Sequence, residues 1–294
     1  MQIASNGIRL EVEDHGSPAG EPLVLIMGLG MQLVAWHDDF VASLVARGFR
    51  VIRFDNRDIG LSQSFDHLGV PNLSLEALKL AVGLRVQSAY SLVDMANDTA
   101  GLLDALGIGA AHVCGASMGG MVAQQLALRH PQRVKSLTLM MTTSGARRLP
   151  GPSLKVRAAM LSSPEDPNSF DSVVSHYVKV YKLIGSPGFP SADDWLHQRL
   201  GMSVRRSYRP RGTARQLTAI AADGDRSPLL SQIMAPTQVL HGLADPLVPV
   251  AAGRDLASKI PGARLELIEG MGHDLPVPLW PRFVEGIRAA AARA

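Results

Sequence analysis

The clearest chemical signal in this 294-residue sequence is the pattern G-x-S-x-G at residues 115–119. A short strand-like stretch, 111–114, precedes the pattern, and a helix-like stretch, 119–130, follows it. A sharp turn from a strand into a helix presents a serine hydroxyl in a strained position, and the start of the helix favours negative charge there. We therefore predict that Ser117 is a nucleophile and that the backbone N–H of Met118 is an oxyanion donor.

A serine hydroxyl becomes a useful nucleophile only when a base takes its proton. Among the nine histidines, only His273 lies in a glycine-rich loop directly after a predicted strand and C-terminal to Ser117. Asp245 follows the preceding predicted strand in the same way. Because strand ends of a parallel sheet meet at one edge, we predict that His273 is the base and that Asp245 orients it. Asp274 is the weaker candidate, since its side chain would project away from the neighbouring ring.

A second oxyanion donor is expected from a loop that follows an early strand. The aliphatic run 22–27 ends in Gly28, Leu29 and Gly30, which occupy that place. We predict that the N–H of Leu29 pairs with that of Met118, and that Gly28 permits the turn that directs it.

Strand-like and helix-like segments alternate in the first half of the chain, which is typical of a mainly parallel sheet covered by helices on both faces. Between residues 145 and 232 the pattern changes to four helix-like segments without a strand, and the alternation then resumes. We predict an α/β core in two parts, 1–144 and 233–294, interrupted by a helical cap, 145–232. The predicted strands are 8–12, 22–27, 50–54, 111–114, 134–141, 236–240 and 264–268.

With the glycine loop at 27–30, the serine turn and the Asp245/His273 pair in register, the sequence resembles the α/β-hydrolase superfamily over nearly its whole length. Residues 55–62, DNRDIGLS, are similar to the D-x-R-G-x-G-x-S segment of that superfamily. Met27 stands where a histidine is usual, and Asp58 stands where a glycine is usual. Within the superfamily, the sequence resembles most the bacterial esterases near the aclacinomycin methylesterase group.

The resemblance implies a serine hydrolase that cleaves a carboxylic ester of a small or mid-sized, largely apolar substrate through an acyl-enzyme. A serine nucleophile disfavours the epoxide-hydrolase and haloalkane-dehalogenase branches, which need a carboxylate. The same triad could serve a lactonase, a C–C hydrolase, an amidase, or a perhydrolase or cofactor-free haloperoxidase, and a ligand-binding, receptor-like member is the alternative without catalysis. Four residues are predicted to line the substrate pocket: Gly28, Trp36, Tyr177 and Trp195.

Composition excludes several other classes. The formal net charge is only +3, which does not favour a nucleic-acid partner, and the single cysteine, Cys114, excludes an internal disulfide. No H-E-x-x-H motif and no G-x-G-x-x-G after a strand occur, so we expect neither a metal nor another cofactor. An acidic N-terminus and short apolar runs predict a cytoplasmic protein without a signal peptide or membrane span. The oligomeric state stays open.

Charge is unevenly distributed along the chain. Residues 145–215 hold 12 Lys/Arg against 5 Asp/Glu, whereas the remainder holds 17 against 21. Complementary packing of the predicted cap on the core would explain the difference, as would a solvated basic face or electrostatic attraction of anionic substrates.

Overall fold

The computed structural model describes residues 1–294. It contains eight strands: β1 (Gln2–Ser5), β2 (Ile8–His15), β3 (Glu21–Ile26), β4 (Phe49–Phe54), β5 (Ala111–Ala116), β6 (Val134–Met140), β7 (Thr237–Gly242) and β8 (Arg264–Ile268). It contains ten α-helices: α1 (Asp38–Val45), α2 (Leu73–Ala81), α3 (Leu92–Ala105), α4 (Met118–Arg129), α5 (Leu154–Leu161), α6 (Phe170–Ile184), α7 (Asp193–Arg206), α8 (Pro210–Asp223), α9 (Ala251–Lys259) and α10 (Trp280–Ala291).

All strands join one sheet in the order β1-β2-β4-β3-β5-β6-β7-β8. The β1/β2 and β2/β4 pairs are antiparallel, and every other pair is parallel. The chain runs outward from β3 to β4 on one side and from β5 to β8 on the other. Strand order therefore reverses between β3 and β5, and the loops after these two strands face each other at the carboxyl edge.

Helices cover both faces of the sheet, and the side chains of the inner strands β3 to β7 are divided between two apolar cores. In β3, Leu23 and Leu25 join the core formed with α1 and α10, whereas Val24 and Ile26 join the core formed with α3, α4 and α9. A strand buried on both faces reads as an uninterrupted aliphatic run, which is the pattern that predicted it. The expected mainly parallel α/β fold is confirmed.

Four helices, α5 to α8, fill the stretch between β6 and β7, and no strand lies among them. Arginines of this insertion pair with carboxylates of the sheet-containing part: Arg206 with Asp55 at 2.7 Å, and Arg215 with Asp58 at 2.5 Å. Part of the positive charge of the insertion is thus paired with carboxylates in the rest of the chain. The division into a core and a cap at 145–232 stays a prediction.

Two elements had no clear signal in the sequence. Strand β1 forms a hairpin with β2 through Asn6 and Gly7, whose φ angles of 49° and 76° suit a tight turn between twisted strands. Helix α2 follows the loop at 55–62 and has a mostly exposed surface. None of the helices is both long and apolar enough to cross a membrane.

Candidate active site

Ser117 occupies the N-cap position of α4, immediately after β5, with φ 54° and ψ −119°. Few non-glycine residues adopt a positive φ, so the surrounding structure must hold this conformation. The N–H of Ser117 donates to the carbonyl oxygen of Met140 at 2.9 Å. A Cβ atom on Gly119 would overlap the carbonyl oxygen of Ile26, so glycine there lets α4 start against β3. The strained serine turn predicted from the sequence is present.

His273 lies in the loop after β8 and connects Ser117 with Asp245. Its Nε2 is 3.0 Å from the Oγ of Ser117, and its Nδ1 is 2.8 Å from Oδ2 of Asp245. Oδ1 of Asp245 accepts the N–H groups of Leu247 and Val248 at 2.9 and 2.8 Å, which fixes the carboxylate. All three predicted triad residues are therefore brought together with hydrogen-bond distances suited to proton transfer.

Asp274, the weaker candidate for the orienting acid, contacts the insertion instead of His273. Its carboxylate accepts a hydrogen bond from the hydroxyl of Ser186, which in turn accepts the N–H of Gly272 at 2.9 Å. Burial raises the pKa of Asp274. The N–H of His273 donates to the carbonyl oxygen of Ile184 at 2.7 Å. The loop that carries the histidine is thus bonded to the last residue of α6 and to Ser186 just beyond it.

His241 lies at the end of β7 and is fully buried close to Asp245. Its Nε2 is 2.8 Å from the carbonyl oxygen of Val248, which requires this nitrogen to carry the proton. Burial lowers the pKa of His241 and keeps the ring neutral. His241 therefore shapes the loop that holds Asp245 without adding a charge beside it.

Gly28 packs directly against Ser117. A Cβ atom on Gly28 would lie 3.2 Å from Cβ and 3.7 Å from Oγ of Ser117. In the same loop the N–H of Leu29 has no acceptor in the chain, whereas the N–H of Gly30 donates to Oε1 of Gln216 at 2.9 Å. Met118 supplies the first N–H of α4, which has no acceptor within its helix. Two free donors thus flank the turn at Ser117.

Gln216 is fully buried in α8 and uses both ends of its amide. Oε1 accepts the N–H of Gly30, and Nε2 donates to the carbonyl oxygen of Arg57 at 3.0 Å. No motif in the sequence singled out Gln216 or Ser186, because neither stands near the glycine loop or His273 along the chain. Their positions arise only from the packing of the insertion.

Asp58, one of the two departures from the family pattern, has φ 74° and no exposed surface. Arg215 binds its carboxylate with two bonds of 2.5 and 2.8 Å, and the hydroxyl of Tyr90 adds a third at 3.0 Å. The other departure, Met27, has a buried side chain, and its carbonyl oxygen accepts the side-chain amide of Asn56 at 2.9 Å. Asp58 therefore serves as an anchor for α8.

The aromatic residues predicted to line a pocket have different environments. Trp36 has no exposed surface and stacks on Phe40 with ring centroids 5.7 Å apart, so it lies in the core rather than at a pocket surface. Tyr177 is half-buried and makes an edge contact with Tyr208, and burial raises its pKa to about 12. Trp195 packs on the small apolar cluster of the insertion. For Tyr177 and Trp195 the pocket role stays a prediction.

A family model described as the alpha/beta hydrolase fold matches residues 21–277. The chain belongs to this family. Similar proteins include the rhodomycin D methylesterase DauP of Streptomyces sp. (strain C5), which is 29% identical over 94% of this alpha/beta hydrolase and 92% of the relative. A poly(3-hydroxyalkanoate) depolymerase of Ectopseudomonas oleovorans is 31% identical over 93% of this chain and 84% of the relative.

Solved structures agree on the fold of this alpha/beta hydrolase. The esterase RhEst1 from Rhodococcus sp. ECU1013 superimposes with a TM-score of 0.77 at 22% identity, and the match covers 99% of this chain and 98% of that one. The family and the similarity to methylesterases, both expected from the sequence, are confirmed.

Proposed function

We propose that this protein hydrolyses a carboxylic ester of a small or mid-sized, largely apolar molecule. The observation that carries the proposal is the hydrogen-bonded chain from Ser117 through His273 to Asp245, beside the two free N–H groups of Leu29 and Met118. Methyl esters are the first class to test, because a similar protein is named as a methylesterase. A cytoplasmic location is part of the same proposal.

In the acylation half, the Oγ of Ser117 attacks the ester carbonyl carbon while Nε2 of His273 takes its proton. The carbonyl oxygen becomes an oxyanion that accepts the N–H groups of Leu29 and Met118, and one such donor is typically worth about 3–4 kcal/mol. Asp245 holds His273 with Nδ1 protonated and stabilises the imidazolium. His273 then protonates the leaving alcohol as the ester C–O bond breaks, which leaves an acyl-serine.

In the deacylation half, His273 takes a proton from water, whose oxygen attacks the acyl carbon. The second tetrahedral intermediate uses the same two N–H donors. Collapse releases the carboxylic acid, and the proton held by His273 returns to Oγ of Ser117. Every proton passes through one imidazole, so the position of His273 governs both halves.

Turnover of a panel of p-nitrophenyl acyl esters and methyl esters, with Ser117→Ala as the control, tests the ester assignment. We expect turnover that depends on Ser117 and varies with acyl length. Lactones, an anilide, a β-diketone and peroxide with an acid belong in the same panel. If one of these compounds is turned over faster than every ester, the activity toward that compound replaces the ester assignment. Absence of fluorophosphonate labelling at Ser117 would indicate a ligand-binding protein instead.

Gln216 is expected to act as a positioning residue for the proposed oxyanion donor. In Gln216→Met the N–H of Gly30 loses its acceptor, so the neighbouring N–H of Leu29 is no longer held in place. We expect kcat to fall about tenfold or more with a nearly unchanged KM, since the donor acts chiefly on the transition state. Steady-state kinetics on the best ester measure this.

Gln125→Met provides a matched control for Gln216→Met. Gln125 is also buried, and its amide bonds to Asp223 at 2.7 Å, away from the glycine loop. We expect this variant to lose stability without losing kcat. Equal kcat values for both variants would mean that Gln216 contributes only to folding.

A further inference from the structure

Asp274 is a buried carboxyl group beside the proposed base, and the proposed mechanism does not use it. It directly follows His273, and only 5% of its surface is exposed. Both ring nitrogens of His273 are already occupied, one by Asp245 and the other by Ser117. Asp274 therefore cannot bond to the imidazole. Because a buried carboxyl group needs a hydrogen-bond partner, the partner of Asp274 indicates its role.

That partner is Ser186, which lies in the insertion two residues beyond the end of α6. The hydroxyl of Ser186 donates to Oδ1 of Asp274 and accepts the N–H of Gly272 at 2.9 Å. One hydroxyl therefore holds the residue before His273 and the residue after it. Only 4% of the surface of Ser186 is exposed, so water has little access to these bonds.

Two backbone hydrogen bonds join the same parts of the chain. The N–H of His273 donates to the carbonyl oxygen of Ile184 at 2.7 Å. The N–H of Gly188 donates to the carbonyl oxygen of Gly270 at 2.9 Å. The N–H groups of Gly272 and His273 thus both bond to the insertion, and neither bonds to the sheet-containing part of the chain. The backbone of the base is therefore held from the insertion.

Glycines allow these two segments, 184–188 and 270–274, to approach each other closely. A Cβ atom on Gly272 would overlap the carbonyl oxygen of Gly185, so a larger residue there would push the segments apart. Each segment carries two glycines, in the sequences GSPG and GMG. We call the two segments together the base junction. Its close backbone contact leaves the loop of His273 little room to rearrange.

We propose that Ser186 is a positioning residue for His273. It holds the base through the N–H of Gly272 and the carboxyl group of Asp274. The proposal rests on the proposed esterase function, because His273 acts as a base in that mechanism. Nε2 of His273 must reach Oγ of Ser117 to take its proton, and a misplacement of about 1 Å can cost about 100-fold in rate. The base is then in place only while the end of α6 lies against its loop.

Ser186→Ala tests the proposal, since it removes the hydroxyl and leaves the backbone contacts in place. We expect kcat for the best ester to fall about tenfold with a nearly unchanged KM, because the hydroxyl is bound within the base junction and not to the substrate. The rate of fluorophosphonate labelling at Ser117 should fall by about the same factor. Without any substrate, the downfield proton resonance of Nδ1 of His273 should shift, because the ring is less well aligned with Asp245.

Ser144→Ala is the matched control, because Ser144 makes the same pair of bonds away from the loop of His273. It is fully buried, and its hydroxyl donates to Oδ2 of Asp255 at 2.6 Å and accepts the N–H of Ala146 at 3.3 Å. Both variants should unfold at a lower urea concentration than the unchanged protein, but only Ser186→Ala should lose kcat and labelling rate. Equal kcat values for the two variants overturn the proposal.

Asp274→Asn and Asp274→Leu test the same contact from the other side. The amide oxygen of asparagine still accepts the hydroxyl of Ser186, whereas leucine offers no acceptor. We expect kcat of Asp274→Asn to stay within about threefold of that of the unchanged protein, and kcat of Asp274→Leu to fall about tenfold or more. An equal loss in both variants, or a loss in neither, overturns the proposal even if Ser186→Ala does not fold.

Failure of the esterase proposal would give a different result. If the unchanged protein turns over no ester, the labelling rate and the Nδ1 resonance still compare Ser186→Ala with Ser144→Ala. A lower labelling rate or a shifted resonance in Ser186→Ala alone supports the positioning role without any ester turnover. A rate and a resonance that Ser186→Ala shares with the unchanged protein overturn it.

Discussion

Ser117→Ala is expected to lower kcat/KM for the best ester by about 10⁴-fold or more, because the variant has no atom that can form the acyl-enzyme. Loss of a serine nucleophile in such a triad leaves only the catalysis contributed by binding and the oxyanion donors. His273 and Asp245 act through Ser117, so the losses caused by removing the base and by Ser117→Ala should not add. Removing His273 should lower kcat/KM strongly in the unchanged protein but only slightly in Ser117→Ala. Steady-state kinetics with a p-nitrophenyl ester measure the loss, and fluorophosphonate labelling should disappear with it.

The stability of the Ser117 variants provides the control. Ser117 has φ 54°, a conformation that a Cβ atom makes costly. Ser117→Ala should therefore unfold at a urea concentration close to that of the unchanged protein, and Ser117→Gly should be at least as stable. An inactive but equally stable variant assigns the loss to chemistry. Hydrolysis that persists at more than about a hundredth of the original rate would contradict the assignment of Ser117 as the nucleophile.

Arg215→Met is expected to lower the free energy of unfolding by about 3–5 kcal/mol, since it leaves the carboxylate of Asp58 buried without its ion partner. Arg215 and Asp58 are 1% and 0% exposed, and the guanidinium binds both carboxylate oxygens. It also holds the carbonyl oxygen of Gly69, so the loop beside α2 loses a contact as well. Urea denaturation of the variant and the unchanged protein gives the difference.

Two further variants show whether the burial of the pair is responsible. In Asp58→Gly/Arg215→Met no buried carboxylate is left without its partner, since Asp66, the other carboxylate bound by Arg215, is exposed. Glycine also suits the φ of 74° at position 58, so part of the lost stability should return. Arg282→Met breaks the exposed pair with Glu266 and should cost less than about 1 kcal/mol. A loss for Arg215→Met no larger than that for Arg282→Met would contradict the anchoring role of Asp58.

Arg215 and Gln216 are neighbours in α8, and together they connect the insertion with two loops of the sheet edge. Arg215 binds Asp58, whereas Gln216 binds Gly30 beside the proposed oxyanion donor. On the other side, Ile184 and Ser186 bond to the loop of His273. The insertion thus contributes to the position of both loops that flank Ser117, in addition to any covering of the substrate.

The sequence alone predicted the order of the strands along the chain, the serine turn and the three residues that meet there. These features depend on local signals, since aliphatic runs, glycine-bounded turns and positions at strand ends can be recognised from neighbouring residues. In the folded chain the parallel sheet brings the carboxyl ends of β5, β7 and β8 together at one edge, and with them the three residues. Ser117, Asp245 and His273 could therefore be predicted without knowledge of side-chain packing.

Only the tertiary structure decided how the insertion contacts that edge. In the sequence, Asp58 stands where a glycine is usual in the family. No residue near it indicates that its partner is Arg215, 157 positions later. Trp36 was predicted at a pocket surface, but it is enclosed by the core, because burial depends on neighbours far away in sequence.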